Sequence, residues 1–205
     1  MKLHRNSQKR FIEDIETYFI TTTTKRRFPF FKEEIFCELF IDNLRLCKEM
    51  KKFTLYGFSI LYDYVHLLIE PGEEFNISRI MQFLKRHFSR DMNCLLTNEG
   101  GLRESRLQGG GYKVFSEIVQ NHDNKLKNLK NKFLKKYSSA NNPSPKFMWQ
   151  ESFYDHVIRG NQDFSNHREY IFNNCCKHRI WGNPEAYRWS DANPEWHGVV
   201  DVAWE

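Results

Sequence analysis

The stretch from residue 53 to residue 69 constrains the fold most. Two runs rich in β-branched and aromatic residues, 53–61 (FTLYGFSIL) and 64–69 (YVHLLI), are parted only by Tyr62 and Asp63. So short a link is a tight connection between neighbouring strands. Upstream, residues 16–24 (ETYFITTTT) form a strand by composition, broken by Lys25-Arg26-Arg27-Phe28-Pro29. From Lys32 to about Met50, the apolar residues Ile35, Phe36, Leu39, Phe40, Leu44 and Cys47 fall at the spacing of an amphipathic helix. Downstream, Pro71-Gly72 ends the third strand, and Asn76 or Ser78 can cap a helix with Ile77, Ile80, Met81, Leu84 and Phe88 on one face. Residues 147–158 (FMWQESFYDHVI) read as a strand or bent strand. Asp163 or Ser165 can start a last helix that runs to about Ile180.

With residues 100–146 set aside, the order is strand, helix, strand, strand, helix, strand, and then a helix. This predicts an α+β protein with a ferredoxin-like βαββαβ antiparallel sheet, two helices on one face and the other face left for a ligand or another element. The interruption reads as an insert, with Gly100-Gly101 and Gly109-Gly110-Gly111 around a flexible stretch. A helical period follows between Tyr112 and Tyr137 at Phe115, Ile118, Val119, Leu126, Leu129 and Phe133, and residues 141–145 form a loop. One domain over residues 1–205, carrying this basic helical insert, is the expected organisation.

Hydrophobic residues make up 40% of the 205 and aromatics 16%, enough to exclude wholesale disorder. No apolar run approaches the roughly 18 residues of a membrane span. The basic start MKLHRNSQKR leads into Phe11-Ile12-Glu13-Asp14, too charged for a signal peptide. Five cysteines with no C-x-x-C spacing argue against a disulfide framework and for a reducing, cytoplasmic setting. The net charge of +5 is unevenly spread. Residues 101–146 hold ten Lys or Arg against three acids, a net +7 that leaves −2 for the rest. A basic segment of this kind suits phosphates, or else a solvated helix face.

Three segments then carry a resemblance: YFITTTTKRRFPFF; GFSILYDYVHLLIEP with SRIMQFLKRHFSRDMN; and WQESFYDHVIRGNQDFSNHREYIFNNCCKH with the later PEAYRWS. In this order and spacing the chain resembles the REP-associated tyrosine transposases of the HUH class of single-strand transposases. The resemblance implies a nickase acting on single-stranded or hairpin DNA as a homodimer, with Mg²⁺ or Mn²⁺ on paired strand histidines and a helix tyrosine that forms a 5′-phosphotyrosine and a free 3′-OH. Carried over, Tyr170 in REYIFNN is the nucleophile, and Asn174, four residues on, shares its helix face and completes the metal site with His66. His178 falls on the same stripe.

The departure lies in the strand motif. The family has His-hydrophobic-His, whereas this chain has Tyr64-Val65-His66. A neutral phenol is a poor ligand for Mg²⁺ or Mn²⁺. Asp63 is a possible substitute, although alternation along the strand aims it at the other face. The metal site is weakened, rebuilt or lost. The alternative to a nickase is therefore a non-cleaving nucleic-acid-binding module, or a subunit of a mobile-element or defence complex that docks a protein partner through residues 100–146. Expected nucleic-acid contacts are Lys25, Arg26 and Arg27; Arg79, Lys85, Arg86 and Arg90; and Lys125, Lys127, Lys130 and Lys132. Trp149, Phe153 and Tyr154 can stack bases or fill a core. Trp181, Trp189 and Trp196 are expected to pack the tail onto the body. His156 reads as structural, and Cys175-Cys176 with His178 as a poor zinc chelate.

Overall fold

The computed structural model describes residues 16–97, 113–137 and 145–201. Three strands, β1 (Tyr18–Thr23), β2 (Thr54–Leu61) and β3 (Tyr64–Glu70), and two helices, α1 (Glu34–Lys51) and α2 (Ile77–Leu96), precede a third helix, α3 (Lys113–Tyr137). Then come β4 (Tyr154–Val157), α4 (Gly160–Phe172) and the single turn α5 (Asn174–Lys177). The sheet order is β2-β3-β1-β4 with every pairing antiparallel, as the ferredoxin-like reading requires. The glycine stretches at 100–101 and 109–111, Tyr112 and residues 141–144 lie outside the described residues.

Strand alternation sorts the sheet into two faces. Ile20, Phe58, Ile60, Val65 and Leu67, all fully buried, meet Leu39, Phe40 and Leu44 of α1 and Ile80, Leu84 and Phe88 of α2 in one apolar cluster. The turn before α1 adds Phe30 and Phe31, and the segment before β4 adds Phe147 and Trp149. The rings of Phe88, Phe147 and Trp149 lie mutually within 5.4 Å, centroid to centroid. Trp149 is thus a core residue that bridges back to Thr24, Phe153 packs on the same core, and Tyr154 alone of the three is exposed. As expected, Asn76 caps α2, its side chain accepting from the Arg79 N–H at 3.0 Å.

The β2 edge is covered by chain that carries no helical signal. The tail runs antiparallel along β2, with the Ile60 N–H donating to Trp189 O and the Asp191 N–H to Phe58 O. This protects the free edge. Trp189 and Trp196 are buried and stacked with centroids 6.3 Å apart, but Trp181 is 53% exposed and does not pack the tail. The last helix also starts earlier than its sequence suggests, at Gly160, where φ is +79°. Asp163 still serves that start, by accepting from the Arg159 N–H at 2.8 Å.

The Lys-rich helix α3 is a docked element. Leu126, Leu129 and Phe133 are buried against the body. The buried His122 sits between Asp42 of α1 at 2.5 Å and Asp91 of α2 at 2.9 Å. The lysines of α3 meet the acids of α1 and its N-cap: Lys125 lies 2.8 Å from Asp42, Lys132 3.6 Å from Glu38 and Lys136 2.8 Å from Glu33.

Candidate functional site

The second sheet face is covered by α4. Phe19 and Thr21 of β1, Tyr64, His66 and Leu68 of β3 and His156 of β4 all point there, because the register sets Thr21 opposite His66 and Phe19 opposite both Leu68 and His156. Ile171 is fully buried against Phe19 and Leu68, and Phe164 meets Tyr56 edge-on at 5.1 Å. Arg168 forms a buried ion pair with Asp191 of the tail. That pair lies over Gly57, where a Cβ would stand 2.6 Å from the guanidinium. Glycine at 57 leaves room for the guanidinium in this position.

Seated this way, α4 brings Tyr170 to His66. The two rings lie 5.3 Å apart at 70°, and Tyr170 is also 5.8 Å from Phe19, edge-on. The Lys177 ammonium stands 4.5 Å from the centre of the Tyr170 ring. One turn on, Asn174 is completely buried, and the Tyr64 hydroxyl donates to its Oδ1 at 3.4 Å. His178 follows, 5.8 Å from the Tyr64 ring. The stripe 170-174-178 therefore lies along Tyr64 and His66 of the same chain.

His66 is held by Thr21, whose Oγ1 lies 2.8 Å from Nδ1, while Nε2 is buried with no hydrogen-bond partner among the described residues. Burial, aided by nearby His178, depresses this imidazole to about 3, so it is neutral. The Tyr64 phenol is pushed well up by burial and then by Tyr170 and Asp63, so it stays protonated. Asp63 is turned to Arg27, with Oδ2 2.8 Å from Nε, and the Arg27 guanidinium also lies over the Tyr64 ring.

These residues do not fit Mg²⁺ or Mn²⁺. The bare Nε2 of His66 is one possible ligand, but the protonated phenol of Tyr64 stands where a second imidazole is expected, and the set includes no carboxylate. The one group of three metal-competent side chains among the described residues is elsewhere on this face, at His156, Asp163 and His167. Sequence reading treated His156 as structural and passed over His167. Asp163, His167 and Tyr170 fall at i, i+4 and i+7 on one helix, a signal present in the sequence, but the strand histidine joins them only through the fold.

The expected nucleic-acid residues divide into three sets. Lys25, Arg26 and Arg27 are exposed in a turn at the end of β1, where Arg26 and Arg27 adopt left-handed φ values of 57° and 53°. Arg79, Arg86 and Arg90 line an open cleft of about 890 Å³ along α2 together with Phe75, Phe83 and His87. Lys85 is structural. Its Nζ donates to the carbonyls of Gln150 and Ser152 at 2.9 and 3.1 Å, and burial lowers it to about 8. On α3, Lys125 and Lys132 are paired, Lys130 reaches Cys94 Sγ at 3.9 Å, and Lys127 is exposed.

Residues 15–124, more than half of the chain, match the family described as "Transposase IS200 like". The chain belongs to the IS200-like transposase family. Its fold is similar to that of a REP-associated tyrosine transposase whose structure was solved bound to a REP hairpin. The TM-score is 0.56 at 17% identity, over 100% of this chain and 92% of that one. A candidate transposase from Deinococcus radiodurans gives a TM-score of 0.42 at 16% identity, over 84% and 97% of the two chains. No curated protein matches significantly in sequence. None of the described helices is long and apolar enough to cross a membrane.

Proposed function

We propose that this IS200-like family member binds hairpin-bearing single-stranded DNA, and that metal-assisted cleavage at His66 has been given up. The observation that carries the second half is Tyr64, a protonated phenol beside His66 where the resemblance puts a second imidazole, with its hydroxyl turned to Asn174 Oδ1. The DNA-binding half is supported by the family and by the hairpin-bound structural neighbour. It is supported too by the exposed Lys25-Arg26-Arg27 turn, whose Arg27 borders Tyr64 and so flanks the Tyr170 face. Cations at that rim can follow a phosphate backbone without reading its sequence.

A second reading keeps the chemistry. Tyr170 lies against His66, with the Lys177 ammonium nearby. Its phenolate could attack phosphorus to give a 5′-phosphotyrosine and a 3′-OH, all within one chain. One experiment separates the readings. Labelled hairpin DNA with single-stranded flanks is incubated with the protein and Mn²⁺, then run on native and denaturing gels. Retardation without a covalent band supports binding alone. A covalent band lost in Tyr170→Phe establishes the nickase, and no retardation refutes both.

A further inference from the structure

His156, Asp163 and His167 play no part in the function proposed above, yet they converge. His156 Nε2 lies 2.9 Å from Asp163 Oδ2, and His167 Nδ1 lies 3.0 Å from Asp163 Oδ1. The two imidazole rings are stacked, 4.7 Å apart at 21°. One ligand atom from each residue fits within a mutual spacing of 4.8 Å. We infer that these three side chains form a site for one divalent transition-metal ion, zinc being the type.

Two imidazoles and one carboxylate make a borderline N₂O donor set, suited to zinc, cobalt or nickel more than to magnesium. Bonds of about 2.0–2.1 Å to a tetrahedral ion set the ligand atoms about 3.3 Å apart. The two close pairs use different oxygens of Asp163, so the carboxylate turns to offer one oxygen to the ion, the imidazole nitrogens draw in from spacings within 4.8 Å, and His167 Nδ1 turns from the Asp163 carbonyl it also faces at 2.9 Å. The Arg159 N–H, 2.8 Å from Asp163 Oδ2, orients the carboxylate from behind. The three side chains are 36%, 24% and 24% exposed, so a fourth coordination position is open to solvent. A water or a phosphate oxygen of bound nucleic acid can fill it.

The position gives the ion a structural task. His156 comes from β4, whereas Asp163 and His167 lie on α4, so the ion fastens the helix of Tyr170 to the sheet edge. The Phe19 ring stands between the two locations, 4.7 Å from His167 and 5.0 Å from His66, which makes this site distinct from the His66 position. The inference holds whether or not the chain cleaves DNA.

The test uses full-length protein without a polyhistidine tag, titrated with Co²⁺ and followed by visible absorption. One equivalent should produce d–d bands without the near-ultraviolet charge transfer of a thiolate ligand. His167→Gln and His156→Gln, made separately, should each weaken binding by about 100-fold or more. His66→Ala and Cys176→Ser should leave it unchanged. Far-ultraviolet circular dichroism checks that each variant is folded, and Zn²⁺ should raise the unfolding temperature of the unmodified protein. The inference is overturned by the absence of saturable binding or of a Zn²⁺ effect on unfolding. It is equally overturned by binding that survives both glutamine variants, or that disappears in His66→Ala.

Discussion

Replacing His122 by Gln tests how the basic helix is held. Both ring nitrogens of the buried His122 face carboxylates, Asp42 at 2.5 Å and Asp91 at 2.9 Å, so the ring serves as an imidazolium donating twice. Burial alone would lower this histidine, but the hydrogen bonds and charges of Asp42 and Asp91 raise it to about 9 from 6.5. At 1.36 kcal/mol per unit, a rise of this size corresponds to roughly 3 kcal/mol favouring the docked helix. Because the folded value lies above the unfolded one, that contribution is complete below pH 6.5 and fades as pH climbs through about 9. In acid the clamp weakens a second time. Burial opposes ionisation of Asp42 and Asp91, yet His122 overcomes it and holds both below 3.8, so their contribution is lost as pH falls through their folded values. His122→Gln should cost about 3 kcal/mol near pH 6.5, since it removes the cation shared by two buried carboxylates and leaves each only its outer partner, Lys125 or Arg90. Urea unfolding of both proteins between pH 6.5 and 9.5, with hydrogen exchange at the amides of α3, measures this. The gap between unmodified protein and variant should narrow steadily with pH. A constant gap, or one that widens, refutes a charged His122.

Tyr64→His should free Asn174 Oδ1 and give His66 a second imidazole on its own face, so Mn²⁺ binding and a Tyr170-dependent covalent band are expected on denaturing gels. If neither appears, Tyr64 is not what disables the position. Gly57→Ala sets a methyl carbon 2.6 Å from the Arg168 guanidinium and should destabilise by about 1–3 kcal/mol in thermal unfolding, by displacing Arg168 from Asp191. Arg26→Ala should weaken hairpin binding and lower the slope of log affinity against log salt by about 1. Lys125→Ala, by contrast, should change that slope little and reduce the stability of α3, because Lys125 is held by Asp42.

Lys125 also shows where sequence reading stops. Its charge is visible in the chain, and so is the apolar stripe of Leu126, Leu129 and Phe133 that docks α3. The acid it meets, Asp42, lies on α1 more than 80 residues upstream, and no local pattern joins Lys125, Lys132 and Lys136 to Asp42, Glu38 and Glu33. A segment that looks like a surface for polyanions is therefore partly neutralised within the protein. The sheet was legible for the opposite reason. The β2–β3 register follows from alternation and a two-residue turn, both local, and alternation puts Tyr64 and His66 on one face before any tertiary contact is known, whereas Thr21 joins them only through the long-range β1–β3 pairing. Tyr170 and Asn174 were legible as a helical pair by the same periodicity. What periodicity cannot supply is which face the last helix covers. That is settled by tertiary contacts, where Ile171 buries against Phe19 and Leu68 and Arg168 reaches Asp191 over Gly57. Once the helix is seated there, Tyr170 meets His66, and Asp163 and His167 meet His156, so one docked helix sets both clusters on the same face.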